Sequence, residues 1–363
     1  MTKVSSPSVE STVRDFAYDA LPGRVVFARR AARERLAAEI ERLGVERVML
    51  IVGPGQRELA AELVVPFAGR VVVHYDQVRP HVPREVAEHA REAARRVKAD
   101  ALLSVGGGST TGTAKIVALT QHLPVVAVPT TYAGSEMTPV WGMTTGTVKN
   151  TGRDLAVLPR VVVYDPELVE TLPAALAVAS ALNAMAHCLE SLWTSAAPLV
   201  ESMALDGARS LAAGLSAAAA GRPAADALLY GAYLAGAAFA SAGSGLHHRI
   251  CHALGGGFDL PHAQTHAVVL PHVLAFNAPA VPAAMARLAP ALGADDPVTG
   301  LRDLYRRCHA PRSLAEIGLA RADLPRAIEL VTARLPVDNP RPVGADDIAA
   351  LLTAAFHGEV GAR

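Results

Sequence analysis

Between residues 16 and 164 short apolar runs alternate with amphipathic stretches of helical period, and beyond Pro173 the short runs stop. The run FAYDALPGRVVF at 16–27 carries a Pro-Gly turn and a β-rich segment. Helices are expected at 31–43, 56–63, 83–97 and 109–119, and strands at 48–52, 70–74, 101–105, 125–128 and 160–164. Apolar strands separated by helices of this length require a mostly parallel sheet covered on both faces, an architecture of the nucleotide-binding type. Over 174–193, 200–219 and 224–242 apolar residues recur at helical spacing, so an all-helical unit is expected to follow. Pro166 and Pro173 punctuate the passage. The expected division is a disordered lead at 1–15, an α/β dinucleotide-binding domain at 16–168 and an all-α domain at 169–363, with the active site between them. Three further helices are expected, near 298–308, 321–334 and 344–357.

In an open α/β sheet, ligands lie off the carboxyl ends of the strands. Two loops leave those ends with unusual composition. Gly106-Gly107-Gly108-Ser109 joins the strand ALLSV directly to a helix. A tight turn needs one glycine, whereas three in succession let a pyrophosphate approach the backbone at a helix N-terminus rich in unpaired N–H groups. Neither standard fingerprint is met, because Thr111 stands where G-x-G-x-x-G needs glycine and Thr113 where a P-loop needs lysine. One strand later, PTTYAGSE offers Thr130, Thr131, Tyr132 and Ser135 to the same crevice. Lys149, after a Gly146 turn, reads equally as a charge-assisted cofactor contact and as a solvated lysine.

Histidine is crowded: six of the thirteen, at 247, 248, 252, 262, 266 and 272, fall within 29 residues of one another in the stretch 245–273. His248 and His252 share a helix face at i and i+4, and a Gly255-Gly256-Gly257 break with Pro261 is expected to bring His262 round to them. Asn183 and His187 stand at the same spacing on the 174–193 helix. Convergent imidazoles point to a metal or to proton transfer. His247, His266 and His272, taken singly, read as surface or core-lining residues.

Composition narrows the ligand. In 363 residues, 34 basic and 34 acidic side chains cancel, with no basic run, so neither nucleic acid nor an anionic membrane surface is indicated as partner. A small soluble ligand fits better. Three scattered cysteines have neither zinc-ligand nor redox spacing, which accords with a reducing cytoplasm. No signal peptide is recognised at the N-terminus, and no apolar run long enough for a membrane span is expected.

The motifs GGGS, PTT-x-x-GSE, x-A-x-x-H-x-x-E, HH-x-x-x-H-x-LGG and LPH, in this order, resemble the iron-containing alcohol dehydrogenase superfamily across nearly the whole chain. PTTYAGSEMTPVWGMT, TGRDLAVLPRVVVYDPEL and LPHAQTHAVVLPH look most like its maleylacetate reductase branch. The resemblance implies NADH or NADPH as cofactor, with Gly53 and Thr138 joining the cofactor-binding residues, and a small dicarboxylate as substrate. It also implies a homodimer and reduction of maleylacetate to 3-oxoadipate. The superfamily's metal ligands, an aspartate and three histidines, fall on Asn183, His187, His248 and His262, with His252 in the substrate cleft. Asparagine removes the anionic ligand, so no metal is expected. Phe27-Ala28-Arg29-Arg30, Asp259 and Gln264 depart from the branch's pattern and bear on the substrate more than on the reaction class. Two alternatives stay open: a metal-dependent alcohol or ketone oxidoreductase, and a redox-inactive biosynthetic or binding protein on the same scaffold.

Overall fold

Six parallel strands form one sheet in the order β1-β8-β5-β4-β2-β3, and a separate antiparallel hairpin pairs β6 with β7. The strands are β1 (Arg24–Phe27), β2 (Val48–Val52), β3 (Val71–Tyr75), β4 (Ala101–Gly106), β5 (Val125–Pro129), β6 (Val140–Thr145), β7 (Val148–Arg153) and β8 (Val161–Tyr164). Between them run α1 (Ala31–Glu34), α2 (Leu36–Leu43), α3 (Arg57–Val64), α4 (Arg84–Arg96) and α5 (Gly108–Gln121). The computed structural model describes residues 16–359 except Thr147, so the lead expected at 1–15 lies outside the described residues. The side chains of Val148 and Lys149 also lie outside them.

Beyond β8 the described chain is helical: α6 (Ala174–Thr194), α7 (Pro198–Ala219), α8 (Ala225–Ala242), α9 (Leu246–Phe258), α10 (His262–Asn277), α11 (Pro282–Ala291), α12 (Pro297–Arg307), α13 (Leu324–Thr332) and α14 (Ala345–His357). Fold class and element order follow the expectation, with four differences. The helix expected at 31–43 is two, broken at Arg35, and the buried Asp165 carboxylate caps the first by accepting from Arg30 N at 2.9 Å and Ala32 N at 3.2 Å. The β6/β7 hairpin was read only as a Gly146 turn, because its strands are rich in threonine and glycine and lack an apolar alternation. Helix α11, with proline at its first position and Pro290 near its end, carried no legible period. Finally, α6 is long and apolar enough to cross a membrane, with mean hydropathy 1.3 over 18 residues, but 78% of that window is buried inside the protein. Its alanines and leucines are the core of the helical half, packed with α7, α8 and α10.

Chain order and strand order together locate the crevice. From β2 the chain moves outward to β3 and then returns to β4 on the other side of β2, so the winding direction reverses between β2 and β4. Such a switch point opens a cleft at the carboxyl ends. Here those ends are Gly53 and Gly106, in backbone contact: a Cβ added at Gly106 would lie 3.2 Å from Gly53 Cα.

Candidate active site

The nucleotide edge is built from glycine and threonine. Gly106 has φ 152°, and a Cβ there or at Gly53 would fall 2.4 Å or 2.7 Å from the Thr110 hydroxyl, so Thr110 fills the notch between the two strand ends. A Cβ at Gly107 would stand 3.0 Å from Thr131 Cγ2, and one at Gly108 3.2 Å from Ala133. Helix α5 therefore begins with open backbone facing the crevice. Gly108, Ser109, Thr131, Ser135 and Thr138 line a cleft of about 730 Å³ that runs on to the helical half. Thr130 and Tyr132, expected to contact the cofactor, are not among the residues lining this cleft: both are buried where the chain bends after β5, and Tyr132 packs in the core with 2% exposure. Lys149 lies in β7 opposite Thr144.

A lysine that the sequence reading passed over holds this loop. Lys115 on α5 is fully buried and donates to the carbonyls of Ser135 at 2.5 Å, Thr138 at 2.7 Å and Val140 at 2.8 Å. Burial pulls its pKa down to about 7. Three carbonyls oppose that pull, since a neutral amine has only two N–H groups for three acceptors. Beside it, buried Glu136 accepts from the Tyr164 hydroxyl at 2.7 Å, and burial raises its pKa. The one available signal was a charged residue in the apolar run AKIVAL.

On the other wall, α6 presents Asn183, His187 and Glu190, and α9 presents His248 and His252. Helix α9 runs unbroken through Gly255, Gly256 and Gly257 to Phe258, which corrects the break expected there. The chain turns instead at Asp259, with φ 52°, and Pro261, and His262 opens α10. In its last turn α9 packs closely on α13: a Cβ at Gly257 would overlap Leu330 at 2.4 Å. His252 and His262 stack with ring centres 6.3 Å apart, and His248 lies 5.8 Å from His252. Asn183, His187, His248, His252 and His262 all line the same cleft, as the spacing required.

Their second contacts set their chemistry. His248 Nδ1 and Glu190 Oε2 are 2.5 Å apart, and Glu190 Oε1 accepts from His247 N at 2.8 Å. Burial pushes the Glu190 carboxyl upward, but the charge and hydrogen bond of His248 outweigh it, and the net shift is downward. The rings of His248, Phe239 and His187 pack together as a triangle, with centroids 4.3 Å apart for Phe239–His248, 4.6 Å for His187–Phe239 and 5.1 Å for His187–His248. Burial first, then His248, drives the His187 pKa well below the usual value, so this ring is neutral. Asn183 Oδ1, His187 Nδ1 and His248 Nε2 are buried and have no hydrogen-bond partner. Gly134, at φ 73°, completes the junction of the two walls: a Cβ there would be 3.2 Å from His187 Nδ1, and one at Gly236 of α8 would be 2.8 Å from Gly134 O.

The background histidines separate. His247 Nε2 and His266 Nδ1 share a 2.9 Å hydrogen bond in the core, with Cys251 Sγ 3.6 Å from His247 Nε2. These three ligand atoms lie within 4.8 Å of one another, yet the imidazole pair already satisfies both nitrogens. Arg249 is exposed and reaches only the Arg334 carbonyl at 3.5 Å, so it does not face the cleft. His81, Trp141, Arg153 and Phe239 line the cleft without having been foreseen. At the outer end of β2, Arg57 Nη2 meets Asp76 Oδ2 at 2.7 Å.

Residues 22–166 match the family model described as iron-containing alcohol dehydrogenase, and residues 177–356 match the model of that family's C-terminal part. The chain belongs to the iron-containing alcohol dehydrogenase family. Among its relatives, the maleylacetate reductase of Pseudomonas knackmussii is 45% identical over 349 residues, 95% of this chain and 98% of that protein. Maleylacetate reductase 1 of Cupriavidus pinatubonensis is 44% identical over 350 residues, 95% of this chain and 98% of its own. The crystal structure of maleylacetate reductase from a Rhizobium species superposes with TM-score 0.89 at 41% identity, covering 95% and 99% of the two chains. The chain is an oxidoreductase of this family, and nicotinamide use accords with it.

The family's name implies iron, and the donor set can be tested against it. Four positions converge, but Asn183 offers a neutral amide oxygen, and no aspartate or glutamate is among the described residues lining this cleft. The nearby carboxylate, Glu190, stands behind His248 and is occupied by it and by His247 N. The set keeps three imidazoles but lacks the anionic ligand, so it holds a hard divalent cation such as iron(II) less tightly than a set with aspartate would.

Proposed function

We propose that this chain reduces the enone double bond of maleylacetate with NADH or NADPH, giving 3-oxoadipate in the breakdown of hydroxylated aromatics. The observation that carries this reading is the acid-free cleft in which Asn183 Oδ1, His187 Nδ1 and His248 Nε2 are buried without partners. Buried polar atoms are seldom left unpaired, so these three mark where a polar ligand docks. Relatives named maleylacetate reductase, matching almost end to end, supply the identity of that ligand. Hydride must reach the alkene carbon β to the ketone. The electron pair then moves onto the ketone oxygen as an enolate, and a proton adds at the α carbon. We assign His248 Nε2 to the enolate oxygen, and His252 and His262 to the dianionic chain, with one of these rings or water as proton donor. Asn183 and neutral His187 orient the substrate. The test is oxidation of NADH on adding maleylacetate, followed by absorbance. Purified protein that consumes no NADH with maleylacetate but turns over simple alcohols or ketones would sink the reading.

In the same reading the reaction runs without a metal, and the protein is a cytoplasmic homodimer. Asn183→Asp restores an anionic donor to three convergent imidazoles. It is expected to bind iron or zinc at least about tenfold more tightly than the wild type, read as metal retained after desalting. Near-stoichiometric iron or zinc in the wild type, lost together with activity on chelation, would place the chain among the metal-dependent alcohol or ketone oxidoreductases instead.

Cofactor choice follows from the adenosine end. The turn Gly53-Pro54-Gly55-Gln56 after β2 has no carboxylate to repel a 2′-phosphate. Asp76 lies next to that turn, but its charge is taken up by Arg57. NADH is therefore expected to be preferred over NADPH by no more than the roughly tenfold that about 1.4 kcal/mol represents. Asp76→Asn frees Arg57 and should move the ratio of kcat/KM values toward NADPH. A wild-type preference for NADH of several hundredfold would show that the pair does not cancel.

A further inference from the structure

The cleft proposed to take a dianion has a single fully charged side chain on its wall, and the catalytic reading does not use it. Among the described residues lining the 730 Å³ cleft, Arg153 is the one arginine or lysine. No described carboxylate pairs with it. Its neighbour Asp154 is turned away, accepting from Ala156 N at 2.8 Å. Arg153 ends β7 directly opposite Val140 on β6, and Gly142 is opposite Thr151 two pairs further on. Antiparallel register puts the side chains of Arg153, Val140 and Thr151 on one face of the hairpin, and all three line the cleft together with the intervening pair Trp141 and Gly152.

The base of the hairpin is fixed from both sides. Lys115 Nζ grips the Val140 carbonyl at 2.8 Å, and Asp154 N donates to the Pro139 carbonyl at 2.9 Å. Trp141 lies against Gly152 so closely that a Cβ there would fall 2.5 Å from the indole. Arg153 thus lines the cleft from an anchored backbone while remaining exposed to solvent, and no acidic side chain is among the described residues lining that cleft. A guanidinium so placed matches a carboxylate with two parallel hydrogen bonds, which neither imidazole nor ammonium can do.

We propose that Arg153 binds one carboxylate of the substrate and thereby selects a dicarboxylate chain over a monoacid, an inference that rests on the reading of the cleft as the site of maleylacetate reduction. The histidines take the reacting end, and Arg153 takes the far carboxylate. The same guanidinium on a cofactor phosphate is the competing outcome, and the measurements separate the two.

Wild type, Arg153→Gln and Arg153→Lys are compared in three ways: steady-state kinetics with maleylacetate, NADH titration by fluorescence, and calorimetric binding of 3-oxoadipate and its monomethyl esters to the NADH complex. Arg153→Gln is expected to raise KM for maleylacetate about 10- to 100-fold, with kcat and the NADH Kd within about threefold of wild type. Wild type should bind the diacid more tightly than one of the monoesters, and Arg153→Gln should lose that discrimination. Arg153→Lys should fall between, and it carries the comparison if the glutamine variant does not fold. An unchanged KM, or a loss that appears in the NADH Kd, overturns the proposal. If the wild type fails to reduce maleylacetate, the functional reading falls, and the diacid-against-monoester binding difference still decides the role of Arg153.

Discussion

Replacing His248 by alanine is expected to lower kcat for maleylacetate reduction by about two to four powers of ten, with the NADH Kd near wild type. The size follows from what the ring does at the moment of reaction. An enolate oxygen needs a hydrogen-bond donor where its charge develops, and His248 Nε2 is a buried, unpartnered atom on the cleft wall. Nδ1 is engaged by Glu190, which fixes the ring with Nε2 toward the cleft. Packing against Phe239 and His187 further restrains the ring. Because the interaction strengthens only as charge appears on the substrate, its loss falls on turnover rather than on ground-state binding. Steady-state kinetics with a parallel fluorescence titration of NADH measure both quantities. Full turnover in the variant would remove His248 from the chemistry and the enolate assignment with it.

Lys115→Met should have the largest effect on stability. It leaves the carbonyls of Ser135, Thr138 and Val140 buried without their donor, and relief of the ammonium's own burial compensates only in part. A net loss of about 3–5 kcal/mol is expected, seen as an earlier midpoint in denaturant unfolding at unchanged slope. The same substitution releases the loop that carries Ser135 and Thr138 along the cleft, so in the proposed reading NADH binding should weaken as well. An unfolding curve that coincides with wild type would mean that water replaces the ammonium in place.

Much of this site was legible before any coordinates, and the reason is periodicity. Asn183 with His187, and His248 with His252, meet because an α-helix returns to the same face after four residues, a rule that reads directly from the chain. The four inner strands of the sheet were visible for a related cause: fully buried parallel strands are uninterrupted apolar runs, as in Val48–Val52. What escaped depends on groups far apart in sequence. Lys115 gains its role from carbonyls 20–25 residues away, and the Arg57 partner Asp76 is reached only once β2 and β3 lie side by side. Thr130 and Tyr132 are buried where the chain bends after β5, outside the cleft lining, and a hydroxyl-rich composition does not reveal which of its side chains turn inward. The triple glycine was read as a break, but α9 runs through it, and of the three it is Gly257 that meets a close neighbour, Leu330.

The contact between Gly134 and Gly236 sets a tolerance. Most distances across the cleft depend on rotamers, which can differ by an ångström or more at little cost. Where these two glycines meet, the separation is the sum of backbone atomic radii, and no side chain is present to yield or to compensate. The loop that carries Ser135 and Thr138 along the cleft and the helical wall that carries His187 are gauged against each other there, as two machined parts are by a shim. Hydride transfer falls away steeply over tenths of an ångström, so any residue larger than glycine at either position would act as a thicker shim, changing the reach of the reaction without touching a reacting group.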